Sequence, residues 1–266
     1  MTPARKGTVK ASHGLKQLLA DDPGQLLLYA VEQVQPQAHH RRLGRVLRLL
    51  RRRHTAIGWV HVSDAYNPCD RVVAARILGY QLPEDPVSPQ LQRIFDNGTF
   101  MHLRWQNTFL SLPDPYRVEI APLLRQWPLI GEADAIINHP MLKDFVIEIK
   151  SMNTNEFKNL KNPKPDHANQ INSYMGLGGC SQGLVWYENK DTQEVKIFLE
   201  KHRPEPYEDM YHRLQKIALI VGEGLLPKPC GECKLDEYIG NLEGVEERVE
   251  LMKAERDKWQ TNTNPS

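Results

Sequence analysis

The chain has 266 residues, 40% of them hydrophobic and 25% charged. That composition supports one well-buried core and excludes a fibrous repeat or a largely disordered chain. Its 34 basic residues nearly balance 33 acidic ones, for a formal net charge of +1, so no global field draws it to nucleic acid or to a membrane surface.

The N-terminal segment MTPARKGTVK is basic, with no apolar core of signal-peptide length behind it. The longest clear apolar run, Ile217 to Val221, falls far short of the roughly 20 residues that span a bilayer. A cytoplasmic location without signal peptide, transmembrane segment or membrane partner is therefore expected. Residues 1–62 are expected to form a basic helical arm, with leucines at 15, 18, 19, 26, 27 and 28 and again at 43, 47, 49 and 50 at helical spacing. Between Arg41 and Arg53 the stretch RRLGRVLRLLRRRH holds seven arginines. These suit contact with DNA phosphates, an acidic protein partner, or simply water on one helix face.

From Ser63 a helix is expected, capped by Ser63 and Asp64 and including the run CDRVVAARILGY with its closing glycine. A second helix is expected over Pro89 to Phe109. Three strands in a meander then follow, in YRVEIAPLL, LIGEADAIIN and FVIEIKSM. The segment DHANQINSYMGLGG has helical spacing and a glycine stop, GLVWYENK and EVKIFLEKH read as two strands, and a long helix covers about Pro206 to Gly222. This order suits an α/β fold, a mixed central sheet flanked by helices, over residues 63–240. Residues 241–266 form a final acidic helix, which packs on the fold or binds a protein partner, and the polar tail TNTNPS. Trp105, Trp127 and Trp186 are expected in the core.

In FVIEIKSM, strand alternation puts Glu148 and Lys150 on one exposed edge and Ile147 and Ile149 on the core side. Asp134, on the strand before, can meet Glu148 across adjacent strands, and Gly131 can let a backbone or a ligand approach closely. Two converging carboxylates repel unless a cation neutralises them, and hard oxygen donors suit Mg²⁺ or Mn²⁺. Such a cluster with a lysine beside it supplies what phosphodiester hydrolysis needs. Taken singly, each residue also has a plain structural explanation: a solvated ion pair, a turn aspartate, a packed tyrosine or a surface histidine. Their order along the chain is what distinguishes them.

Gly-Glu-Ala-Asp134, then Glu148-Ile149-Lys150 fourteen positions on, resembles the PD-(D/E)XK nuclease superfamily in its RecB-type branch. Gly98-Thr99-Phe100-Met101-His102 is similar to that branch's G-x-x-x-H helix, and Gln170-Ile171-Asn172-Ser173-Tyr174 to its Q-x-x-x-Y helix. The resemblance implies a restriction-endonuclease-like core in which His102, Asp134, Glu148 and the backbone carbonyl of Ile149 bind metal. Asp134, Glu148 and Lys150 are then catalytic, and Gln170 and Tyr174 bind substrate. It implies a metal-dependent deoxyribonuclease acting on DNA with free ends, an exonuclease more than a site-specific endonuclease, in a phage or mobile-element setting. The alternative is a DNA-end-binding or assembly protein that keeps the nuclease fold as a scaffold.

Cys69, in NPCDRVVAARILGY, and Cys230 with Cys233, in CGEC, resemble the iron-sulfur layout of the CRISPR adaptation nuclease and the helicase-nuclease AddB. A fourth cysteine at the usual place is missing. The resemblance leaves open a [4Fe-4S] cluster, Zn²⁺ or another three-cysteine metal site, and a metal-free remnant. Cys180 reads as a buried small residue.

Overall fold

The computed structural model describes residues 23–38, 56–83, 87–233 and 235–263. The arginine-rich stretch 41–53 and the leucines at 15, 18, 19, 43, 47, 49 and 50 lie outside the described residues. In chain order the elements are α1 (Pro23–Ala38), β1 (Val60–His61), α2 (Val62–Ala65), α3 (Asp70–Ile77), α4 (Pro89–Phe109), β2 (Arg117–Ile120), β3 (Leu123–Gln126), β4 (Leu129–Glu132), β5 (Ala135–Asn138) and β6 (Phe145–Met152). Then come α5 (Thr154–Asn159), α6 (Pro165–Gly178), β7 (Gln182–Asn189), β8 (Val195–Lys201), α7 (Pro204–Gly222), α8 (Asp236–Gly240) and α9 (Val245–Thr263). The fold is mixed α/β, with helices flanking two mixed sheets.

The larger sheet runs β2-β5-β6-β7-β8, and the smaller β1-β4-β3. Among the described residues only β6–β7 and β1–β4 are parallel. A parallel pair needs a crossover, and for β6–β7 the crossover is α5 and α6, so Q-x-x-x-Y is carried back over the face of the strand that bears Glu148 and Lys150. Local chemistry fixes these helices. Ser88 caps α4 by accepting from the Leu91 amide at 3.1 Å, Pro89 follows it, and Asn153 caps α5 through the Glu156 amide at 3.0 Å. Gly179 ends α6 at φ 66°, a left-handed conformation that glycine adopts without penalty.

Two expectations need correction. The two strands expected before FVIEIKSM are each broken in the middle, Arg117–Ile120 from Leu123–Gln126 and Leu129–Glu132 from Ala135–Asn138. Pro122 has no amide hydrogen and Ala121 sits at φ 51°, so the hairpin bends there and feeds both sheets. Opposite that bend, Ala121 donates to the Asp134 carbonyl and Ala133 to that of Pro122. The helix expected from Ser63 is interrupted as well. Pro68 disfavours the helical conformation at Asn67, whose side chain accepts from the Cys69 amide at 2.9 Å, and α3 restarts at Asp70.

Apolar side chains fill both faces of the large sheet. On one face Leu27 and Val31 of α1 and Met101, Trp105 and Phe109 of α4 pack against Ile147, Ile149 and Trp186. On the other, α3, α6, α7 and α9 pack with the small sheet around Val146, Val185, Tyr174 and Tyr187. From the expected N-terminal arm, Leu27, Val31 and Val60 are fully buried. The acidic helix α9 likewise packs, through Val249 and Met252, and Trp59 meets Trp259 edge-on at 6.4 Å. Trp105, Trp127 and Trp186 are buried as expected. Among the described residues no helix is long and apolar enough to cross a membrane.

Candidate active site

Strand β5 begins at Ala135, paired with Ile147. The residue before it, Asp134, therefore stands beyond the end of that ladder, beside the open edge of β6. Its Oδ2 accepts from the Ile149 amide at 2.6 Å, and its Oδ1 meets His102 Nδ1 at 2.7 Å. The N–H and C=O of one strand residue point to the same side, so the Ile149 carbonyl faces this gap too. Gln106, one turn after His102, holds the Asp134 carbonyl at 3.0 Å.

The edge that alternation marks as exposed is not exposed. Glu148 is only 3% accessible, because β6 is a central strand and α6 covers the face opposite α4. Its carboxylate meets Lys150 Nζ at 2.5 Å. Lys150 also donates to Gln170 Oε1 at 3.0 Å, and Gln170 Nε2 donates to the Tyr174 hydroxyl at 3.1 Å. A chain of polar contacts therefore runs from β6 into α6. Tyr174 is itself buried at 1%, so its hydroxyl serves Gln170 rather than solvent. Gly131 makes room for that ring: a Cβ there would lie 2.6 Å from Tyr174 Cε1 and 2.7 Å from Val62 Cγ2. The close neighbour that the glycine admits is a side chain of this chain.

Burial pushes the Glu148 carboxyl up to about 7, with the Asp134 charge adding to it and the charges of Lys150 and His102 opposing it. Burial also acts to lower the His102 imidazole, but the charge and hydrogen bond of Asp134 outweigh this and leave it raised. One histidine escaped the sequence reading. His167 lies on α6 one turn before Gln170, with Nδ1 2.7 Å from the Tyr187 hydroxyl. Burial, then Lys150 and Lys164, hold it down to about 4. Its i, i+3 spacing to Gln170 was the available signal. Arg104 and Glu188 were also missed. The buried Glu188 carboxylate takes Arg104 and, at 2.5 Å, the Trp105 indole N–H.

An imidazole, two carboxylates and a strand carbonyl are donors of the kind a divalent cation takes, but among the described residues the ligand atoms of His102, Asp134 and Glu148 do not all lie within 4.8 Å of one another, as those of the three cysteines do. In the protein alone these groups satisfy one another, with His102 on Asp134 and Glu148 on Lys150. The cysteines differ. The sulfurs of Cys69, Cys230 and Cys233 all lie within 4.8 Å of one another. Cys69 precedes the first turn of α3, and burial lifts its thiol to about 11. Cys233 Sγ accepts from the Leu235 amide at 3.4 Å. Cys180 is buried away from them, at the end of α6.

No family model and no curated protein matches the chain. Among solved structures it is similar to an alkaline exonuclease from Laribacter hongkongensis, with a TM-score of 0.44 and 16% identity over 77% of this chain and 96% of that one. It is also similar to a phage-related exonuclease from Haemophilus somnus 129PT, with a TM-score of 0.38 and 14% identity over 55% of this chain and 76% of that one.

Proposed function

We propose that the chain is a metal-dependent deoxyribonuclease of the PD-(D/E)XK superfamily that degrades DNA from free ends. The observation that carries this reading is Glu148. Burying a carboxylate beside a second carboxylate destabilises a fold, and the pair becomes useful where a cation and a phosphodiester meet. His102, Asp134, Glu148 and the Ile149 carbonyl hold Mg²⁺ or Mn²⁺, which when bound polarises the phosphodiester and makes water more acidic.

The remaining work falls to side chains already in place. Lys150, fixed between Glu148 and Gln170, orients the attacking water and sets its positive charge against the negative charge that develops on the phosphoryl oxygens. Gln170, aligned by the buried Tyr174, faces the substrate, and Tyr174 acts through it. His102 reaches Asp134 from α4 and keeps that carboxylate turned to the end of β6. Linear and circular DNA incubated with Mn²⁺ test the reading, wild type against Lys150→Ala. Loss of linear DNA alone, abolished in the variant, is the expected result; intact linear DNA, single- and double-stranded, rejects it.

The three cysteines are proposed to hold one thiophilic ion, Zn²⁺ being the simplest. Metal–sulfur bonds of about 2.3 Å in a tetrahedron place sulfurs about 3.8 Å apart, which a trio within 4.8 Å can meet. The ion joins α3 to the segment after α7. Metal analysis of the purified protein, with and without Cys69→Ala, checks it.

A further inference from the structure

Beside the catalytic cluster, on the α4 side of β6, lies a cleft of about 400 Å³ lined by Gly98, Phe100, Arg104, Ser151, Lys190 and Gln193. Gly98 is one helical turn before His102, so the cleft continues along α4 from the His102 position, while Ser151 lines it from the face of β6 opposite Glu148 and Lys150. Its floor is fixed: Arg104 is tied to the buried Glu188 and donates to Gln193 Oε1 at 2.7 Å. Its rim is not. Phe100 is 66% accessible, and Lys190 is exposed.

Gly98 is the feature that needs a reason. Glycine inside a helix weakens it relative to alanine. Among the described residues nothing packs closely against it. A Cβ at 98 would meet no atom nearer than Ser151 Oγ at 4.0 Å, in contrast to Gly131, where a neighbouring ring fills the space. Among the described residues the missing side chain leaves that space open.

We propose that this cleft binds the nucleotide next to the scissile phosphate, as a single strand. Its sugar-phosphate backbone passes over Gly98, its base stacks on Phe100, and Lys190 meets the adjacent phosphate. The volume is at the small end of the range for small-ligand sites, about 300–1,000 Å³, which suits one nucleotide and not a duplex. An exposed aromatic ring beside a cation is the usual equipment for unpaired bases. The inference rests on the nuclease reading for its choice of ligand, yet it is tested by binding and not by cleavage.

The experiment measures anisotropy of a short fluorescein-labelled oligothymidylate with Glu148→Gln protein in the absence of divalent metal. Gly98→Leu and Phe100→Ala are each expected to weaken binding by about 5-fold to 150-fold, the worth of one stacked base. Phe100→Tyr restores it, and helix content by circular dichroism does not fall in Gly98→Leu, as a folding defect would require. Lys190→Gln lowers the slope of log affinity against log salt by about one. Affinity unchanged in both Gly98→Leu and Phe100→Ala, or no binding by the parent protein, overturns the proposal. Binding weakened as expected in a protein that digests no DNA leaves the cleft standing and removes the nuclease reading. Digestion with unchanged binding in the variants does the reverse.

Discussion

The carboxylate centre draws its side chains from residues 102 to 174, in the middle of the chain, whereas the cysteine trio joins residue 69 to residues 230 and 233 on either side of that stretch. The first is set in a hydrogen-bonded lattice: His102 on Asp134, Asp134 on the Ile149 amide, Glu148 on Lys150, and Lys150 on Gln170. The second gathers three sulfurs at a helix start and a loop. The difference separates two uses that a metal would have under the proposed function. In the centre the side chains are held by one another, and an ion would add chemistry. At the cysteines an ion would add a cross-link, and chemistry would be untouched.

The strongest test of that separation is Glu148→Ala, expected to lower DNA digestion by at least about 100-fold, as removal of a preorganised charged group does, while the fold stays intact by circular dichroism. Cys69→Ala should do the opposite. It is expected to lower the thermal midpoint by about 5 °C or more, roughly 2 kcal/mol at this chain length, with digestion at low temperature retained. A Cys69 variant that is stable but inactive would break the comparison.

The third test uses pH. The Glu148 carboxyl sits at about 7 in the fold against an ordinary 4.5, so the folded chain holds more protons than the unfolded chain between those values. Metal-free stability should therefore fall as pH rises from about 4.5 to about 7 and level off above it, by up to about 3 kcal/mol. His102, also raised, acts in the same direction, because the stability it adds at low pH is lost as it deprotonates. Thermal melts across pH in chelator should show this slope, Glu148→Gln should flatten it, and a slope that survives in Glu148→Gln would place its origin elsewhere. The smallest effect is expected at Gly131→Ala, about 1–3 kcal/mol by chemical denaturation, the usual cost of overpacking. Because the crowded ring is that of Tyr174, digestion should slow with it, although residue 131 is no ligand.

Several parts of this arrangement were legible in the sequence. The helix over Pro89–Phe109, the long strand at Phe145–Met152 and the Pro165–Gly178 helix follow from caps, alternation and a glycine stop, all of them local signals. Asp134 meeting β6 was legible because neighbouring strands keep register. What lay beyond reach depended on distant partners. Glu148 reads as exposed because alternation cannot say that α6 will cover its face, and Tyr174 reads as a substrate contact because its burial depends on Gly131 and Val62. The grouping of Cys69 with Cys230 and Cys233 comes from the resemblance and not from spacing, and the three sulfurs do converge. The broken hairpin was readable at Pro122, a residue with no hydrogen to give to a ladder.

Helix α4 carries one further consequence. Every residue from 89 to 97 is exposed, while Met101, Leu103, Trp105 and Phe109 are buried. A free helical stretch shorter than about 12 residues is marginal in water, so one continuous helix should show two rates of amide hydrogen exchange, slow from residue 101 onward and fast before it. His102 stands at that seam, in the first turn held by the core, and Gly98 in the last turn that is not. A strand settling against Gly98 would move the seam toward Pro89, so that substrate arrival would be read, amide by amide, as a lengthening of the slow segment.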